Sequence, residues 1–198
     1  MLLKRESRFI GFDDAPFEPH SRGSKVPIIG VVMRAGEYIE GILREEVTVD
    51  GRDANEVLER MLLSSRFLSQ IKCILLDGIA FGGFNVIDIF RLSERTGIPV
   101  ISLTRNSPDM DSIFTALERH FEDGKERSAI VRRGVLHEFP VTSQGITYVL
   151  HGKFAGIDRH EAGEILNMTI NRGAYPEPLR IAHMIGSAMV KGESKGRA

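Results

Sequence analysis

One cysteine in 198 residues leaves no intrachain disulfide to be made. That residue, Cys73, lies in the apolar run CILLDG, where a buried thiol is expected, and its isolation fits a reducing, cytoplasmic setting. Charge of one sign is also missing: 26 Lys and Arg face 27 Asp and Glu, a formal net charge of -1. Any attraction to phosphate must therefore come from local basic clusters or bound cations. No apolar stretch approaches the roughly 20 residues that cross a bilayer, and MLLKRESRF has charges directly after three apolar residues, unlike a signal peptide. None of the six histidines shows HExxH or paired Cys/His spacing, which disfavours a zinc site and leaves His151 and His183 as minor candidates. There is no GxSxG and no activated-cysteine context, so nucleophilic hydrolysis has no support either.

What is present suffices for one ordinary domain, with 42% hydrophobic and 27% charged residues. Residues 1–190 are expected to form it, with KGESKGRA (191–198) as a mobile tail. SRFIGF, KVPIIGVVMR and EYIEGILREEVTVDG read as three consecutive strands. The period then changes, and Val57, Leu58, Met61 and Leu62 predict a helix over 54–67 with Asp53 as N-cap. CILLD and IPVISLT are short apolar runs of buried-strand type, separated by a crossover helix marked by Val86, Ile87 and Phe90. MDSIFTALERHF carries an apolar stripe of Met110, Ile113, Phe114, Leu117 and Phe121, expected to be core packing. Residues 126–152 are irregular except for ITYVLHG, a strand; HEAGEILNMTI and LRIAHMIGSAMV are helices separated by the breaker RGAYPEP. The predicted class is α/β: a mixed sheet, three antiparallel strands followed by helix-crossover strands, with helices on both faces.

Asp13 and Asp14 follow FIGF directly, and Asp77 follows ILL, so carboxylates stand where two buried strands reach the sheet edge. Two carboxylates about 4 Å apart repel by about 4 kcal/mol at an effective dielectric near 20, which a divalent cation would reverse. Oxygen donors suit Mg2+ or Mn2+. A single Asp after a strand more commonly makes a turn or a cap; two such strand ends in one domain favour a site. Asp50 and Asp53 in TVDGRDANEV are candidates for a third carboxylate, with Glu56 weaker, although a turn and a cap are the commoner roles at these positions.

DGIAFGGFN matches neither GxGxxG nor GxxxxGK[ST], so it is expected to be a close-packed loop beside the carboxylates, with Gly78, Gly82 and Gly83 allowing close approach of a nucleic-acid backbone. Among scattered basic residues, Arg105 follows IPVISLT and should emerge beside Asp77 if that strand runs parallel. Lys153 follows ITYVLHG by similar logic.

Taken together, FIGFDDAPF, TVDGRDANEV, CILLDGIAFGGFNVID, GIPVISLTR and YPEPLRIAHMIGSAM resemble the endonuclease dU family over nearly the whole chain. The resemblance implies a distant relation to endonuclease V and a ribonuclease H-like fold. It implies that Asp13 is the first-strand aspartate, Asp53 the helix-start acid and Asp77 the aspartate of a VDG-like strand end, and that PEPLR, with Arg180, is the late PEPTR-like turn. It further implies a magnesium-dependent endodeoxyribonuclease of DNA repair, acting on DNA with deaminated bases, especially deoxyuridine. Two departures from endonuclease V stand out: EEVTVDGRD replaces its PYIP-like wedge, and its late histidine has no clear counterpart, since GIDRHEAGE offers Asp158 and His160 near that place, with Asp158 the candidate fourth acid. The alternative is a non-catalytic nucleic-acid or protein-binding module on the same fold, which would not need the carboxylates; an aspartyl phosphotransferase ranks third because GFDDAPF lacks DxD spacing.

Overall fold

The computed structural model describes residues 3–18 and 21–194. The opening segments form an antiparallel meander of β1 (Arg8–Asp14), β2 (Lys25–Arg34) and β3 (Tyr38–Thr48). α1 (Ala54–Leu63) follows and stops short of the expected Phe67; the Ser64 hydroxyl donates to the Arg60 carbonyl at 2.7 Å beyond its last turn. β4 (Ile71–Asp77) leads into a small hairpin of β5 (Ala80–Phe81) and β6 (Asn85–Val86). Val86 thus belongs to a strand, and the crossover helix α2 (Ile89–Thr96) starts after it, where the Asp88 carboxylate caps the Phe90 and Arg91 N–H groups.

Next come β7 (Val100–Thr104), α3 (Met110–His120), α4 (Gly124–Arg132), β8 (His137–Ser143), β9 (Ile146–Ala155), α5 (Arg159–Thr169) and α6 (Glu177–Lys191). α4 and β8 fall in the stretch expected to be irregular. Both escape the pattern because they are polar: α4 is held by the buried Arg127, which donates to the Gly51 and Phe84 carbonyls at 2.9 and 2.6 Å. β8 contains Pro140, tolerated because this strand is a sheet edge. Lys191 closes α6 and Gly192 takes a left-handed φ of 79° as its cap; the expected tail from 195 onward lies outside the described residues. Among the described residues no helix is long and apolar enough to cross a membrane.

The seven strands of the main sheet are ordered β3-β2-β1-β4-β7-β9-β8. β1, β4 and β7 are parallel neighbours, so their C-terminal ends share one edge, while β9 runs antiparallel to β7. Side chains alternate across the sheet. On one face Phe9, Cys73, Leu75, Ile101 and Leu103 pack against Ile165 and Leu166 of α5 and Leu179 of α6. On the other, Ile10, Phe12, Ile74, Leu76 and Val100 pack against Leu58 and Leu62 of α1 and Leu92 of α2. Cover on both faces explains the uniformly apolar central strands, each fully buried aliphatic or Phe side chain contributing about 1.5–3 kcal/mol. Gly11 sets how closely α6 lies on β1: a Cβ there would stand 2.6 Å from the Pro178 carbonyl carbon and 2.7 Å from the Leu179 nitrogen.

Candidate metal centre

The register of β1 on β4 runs to Phe12 opposite Leu76, so one further step sets Asp13 beside Asp77. Both belong to the alternation that faces α6, as does Arg105, one residue past β7. α6 completes the corner: His183 Nδ1 lies 2.9 Å from Asp13 Oδ2. The turn before α6 supplies Tyr175, whose hydroxyl donates to Asp77 Oδ1 at 2.7 Å. His183 had only minor standing in the sequence and Tyr175 none, since neither stands at a strand end nor in a ligand motif.

Burial pushes the Asp13 carboxyl above its ordinary range; the His183 hydrogen bond opposes this and the Asp77 charge adds to it. Asp77 is likewise raised by burial, against the Tyr175 hydroxyl and the Arg105 charge. His183 is raised by its bond to Asp13. Tyr175 is raised well above a normal phenol, by burial and then by Asp77, so it remains a donor. The corner therefore holds two desolvated acids against limited positive charge. This donor set fits a magnesium or manganese ion, commonly held through one or two carboxylates with water and substrate phosphate completing the shell.

The other expected acids go elsewhere. Asp14 points to the opposite face, where its Oδ2 accepts from the Gly82 N–H at 2.6 Å; burial, then the Asp13 charge, push its carboxyl up to about 6. Asp53 is on the α1 side of the sheet and neither binds beside Asp13 nor caps α1 through its side chain. Its carboxylate instead accepts from the Thr48 N–H and hydroxyl (3.0 and 2.7 Å), Asn85 Nδ2 (2.6 Å) and Lys25 Nζ (3.1 Å). Although burial acts upward, these bonds hold its pKa well below the usual range. Asp50 adopts φ 57° and accepts from the Phe84 N–H at 2.9 Å, a turn role. Asp158 caps α5 through the Glu161 N–H at 2.9 Å, after the end of β9 and so at the opposite sheet edge. The three-carboxylate set is not assembled: among the described residues no three His, Cys, Asp or Glu groups are arranged to hold a metal.

The nucleic-acid candidates divide similarly. Gly78 (φ 86°) and Gly82 (φ 55°) shape the loop after β4, with the Gly78 N–H donating to Leu103 O at 2.8 Å, and Gly83 (φ 85°) turns the hairpin. The Gly78 and Gly82 N–H groups are thus already engaged and do not form an open phosphate cradle. Lys153 does not emerge at the edge, because β9 is antiparallel to β7; it is 6% exposed and donates to the Val131 and Arg133 carbonyls at 2.5 and 3.0 Å, capping α4. Arg180 is paired with Glu177 at 2.6 Å. Arg105 does emerge beside Asp77, exposed, as the parallel strand requires.

Behind the sheet edge, on the Asp14 side, lies a cavity of about 220 Å³ whose walls include Ile79, Phe84, Thr104, Met110, Ile113 and Lys153. The apolar stripe of α3 is therefore core packing that also walls this space.

A family profile described as Endonuclease dU matches residues 5–190. A UPF0215 protein of Methanothermobacter thermautotrophicus is 46% identical over 197 residues, covering 99% of this chain and 94% of its own length. A UPF0215 protein of Methanosarcina mazei is 42% identical over 196 residues, covering 99% and 97%. Among solved structures, a protein of unknown function from Archaeoglobus fulgidus superposes with a TM-score of 0.80 at 37% identity, over 92% of this chain and 98% of that one. Endonuclease V of Ciona intestinalis, in complex with a 24mer DNA containing an inosine followed by a ribo-adenosine, gives 0.63 at 13% identity, over 94% and 86%. Human ENDOV gives 0.61 at 16%, over 94% and 85%. At such identities the likeness to endonuclease V is one of fold, and that fold is ribonuclease H-like.

Proposed function

Because the chain belongs to the endonuclease dU family, we propose that it is a divalent-metal-dependent endodeoxyribonuclease that hydrolyses phosphodiester bonds in DNA containing deaminated bases, deoxyuridine above all, in DNA repair. The observation that carries this is that Asp13, buried and backed by His183, and the half-buried Asp77 share one face at neighbouring strand ends. Asp13 and Asp77 would hold Mg2+ or Mn2+, which supplies Lewis-acid stabilisation of phosphoryl oxygen and lowers the pKa of water.

The chain's own side chains do the rest. Arg105, exposed beside Asp77, offers a planar fork of donors to a phosphate. The His183 imidazole, held by Asp13, is placed to hold or pass on a proton at an oxygen of the phosphodiester. The cavity behind the edge is the place for an unstacked base, since enzymes that read a damaged base take it out of the stack. The deoxyuridine preference rests on the family description.

The test incubates uracil-containing and matched undamaged DNA with the protein and magnesium, alongside Asp13→Ala and Asp77→Ala. Expected is nicking of the uracil strand that each variant lowers on the order of 10²–10³-fold, the several kcal/mol that metal-ion stabilisation supplies. Equal nicking by wild type and both variants would defeat the catalytic assignment. Binding without cleavage under any divalent metal would make the chain a binding module.

A further inference from the structure

Tyr175 touches two parts of the candidate centre at once. It stands in the RGAYPEP turn, 2% exposed, packed with Leu103 and Leu179. Its single hydroxyl proton is shared between Asp77 Oδ1 at 2.7 Å and the Leu103 carbonyl at 3.1 Å. Its ring carries the Arg105 guanidinium 4.6 Å from the centroid. Among the described residues Arg105 forms no salt bridge, so the ring positions it without occupying its N–H fork. A carboxylate with one oxygen fixed keeps the other for a cation, and a guanidinium held by a ring face keeps its donors for phosphate.

We propose that Tyr175 is the positioning residue of this centre: its hydroxyl fixes the Asp77 carboxylate toward the cation, and its ring holds Arg105 toward the DNA phosphate. This rests on the metal-dependent nuclease reading above. A tyrosine that merely filled the core would be replaceable by phenylalanine without effect on either ligand, whereas the two halves of this role separate by substitution. Tyr175→Phe keeps the ring and removes the hydroxyl; Tyr175→Leu removes both.

Manganese affinity is measured by titration calorimetry, and affinity for a short single-stranded oligonucleotide is measured in chelator, with circular dichroism to verify folding. Tyr175→Phe is expected to lose about 10–100-fold in manganese affinity, as for other groups that orient a ligand, with metal-free DNA binding unchanged. Tyr175→Leu is expected to lose as much for manganese and also roughly 2–5-fold for DNA, the size of an exposed cation–π contact. If Tyr175→Leu does not fold, Arg105→Ala provides the DNA arm, with the same expected loss in wild type and Tyr175→Phe backgrounds. Wild-type manganese affinity in Tyr175→Phe would overturn the hydroxyl's role and leave the nuclease reading standing. Unchanged DNA binding in Tyr175→Leu, or in Arg105→Ala where that variant replaces it, would overturn the ring's role. A wild type that binds no manganese would overturn the nuclease reading and this inference with it.

Discussion

Asp13 and Asp14 are neighbours in the chain with opposite destinations, because consecutive strand residues project to opposite faces. Asp13 meets His183, while Asp14 ties down the Gly82 N–H. Strand-end logic locates Asp13, Asp77 and Arg105, since an apolar run followed by a charged residue has few other arrangements. It does not locate His183 and Tyr175, whose carboxylate partners lie 170 and 98 residues away. Asp53 shows the converse failure: its position fits a ligand, but nearby donors claim it. With its folded pKa below the unfolded value of about 3.9, Asp53 stabilises the fold above about pH 4, and this is lost as pH falls through the folded pKa. Asp53→Ala should cost about 1.5 kcal/mol at neutral pH, the low end for charged hydrogen bonds because the side chain is partly exposed to screening solvent. That is a Tm loss of roughly 3–6 °C. The gap to wild type should narrow below about pH 4, with manganese affinity unchanged; a lost manganese site would show that Asp53 is a ligand after all.

At the scale of elements, the central strands are legible because cover on both faces forces continuous apolar runs, and the crossover order fixes them parallel. β8 and α4 are illegible because each is stabilised by something outside its own pattern: an edge position that tolerates Pro140, and the reach of Arg127 to carbonyls of distant segments. The contact of α6 with β1 depends on one missing side chain. Backbone atoms of Pro178 and Leu179 stand where a Gly11 Cβ would be, so relief requires moving α6. Gly11→Ala is expected to destabilise by about 1–3 kcal/mol through overpacking. By displacing the helix that carries His183, it should also weaken manganese binding. Thermal unfolding and calorimetry read the two effects, and full wild-type values in both would show that the packing is looser than the structure has it.

For the whole molecule, the two desolvated acids at the corner oppose folding, a cost that a bound cation would relieve. Manganese at about 100 times its Kd should stabilise the protein by about 2.7 kcal/mol, raising Tm by roughly 5–11 °C for a chain of this size. Asp13→Ala should abolish that rise, and a wild-type Tm indifferent to manganese would contradict a site at this corner.

The sheet itself stands between the two regions a nucleotide would use. Asp13, Asp77 and Arg105 face α6, whereas the cavity opens on the Asp14 side, so the rim at the tips of β1, β4 and β7 is the crossing point. A sugar-phosphate chain engaging both must straddle that rim like a clip over the edge of a card. A stiff, fully stacked duplex cannot take such a bend over one nucleotide, so on the proposed reading the nuclease is expected to favour DNA already weakened in its stacking before any atom of the base is inspected.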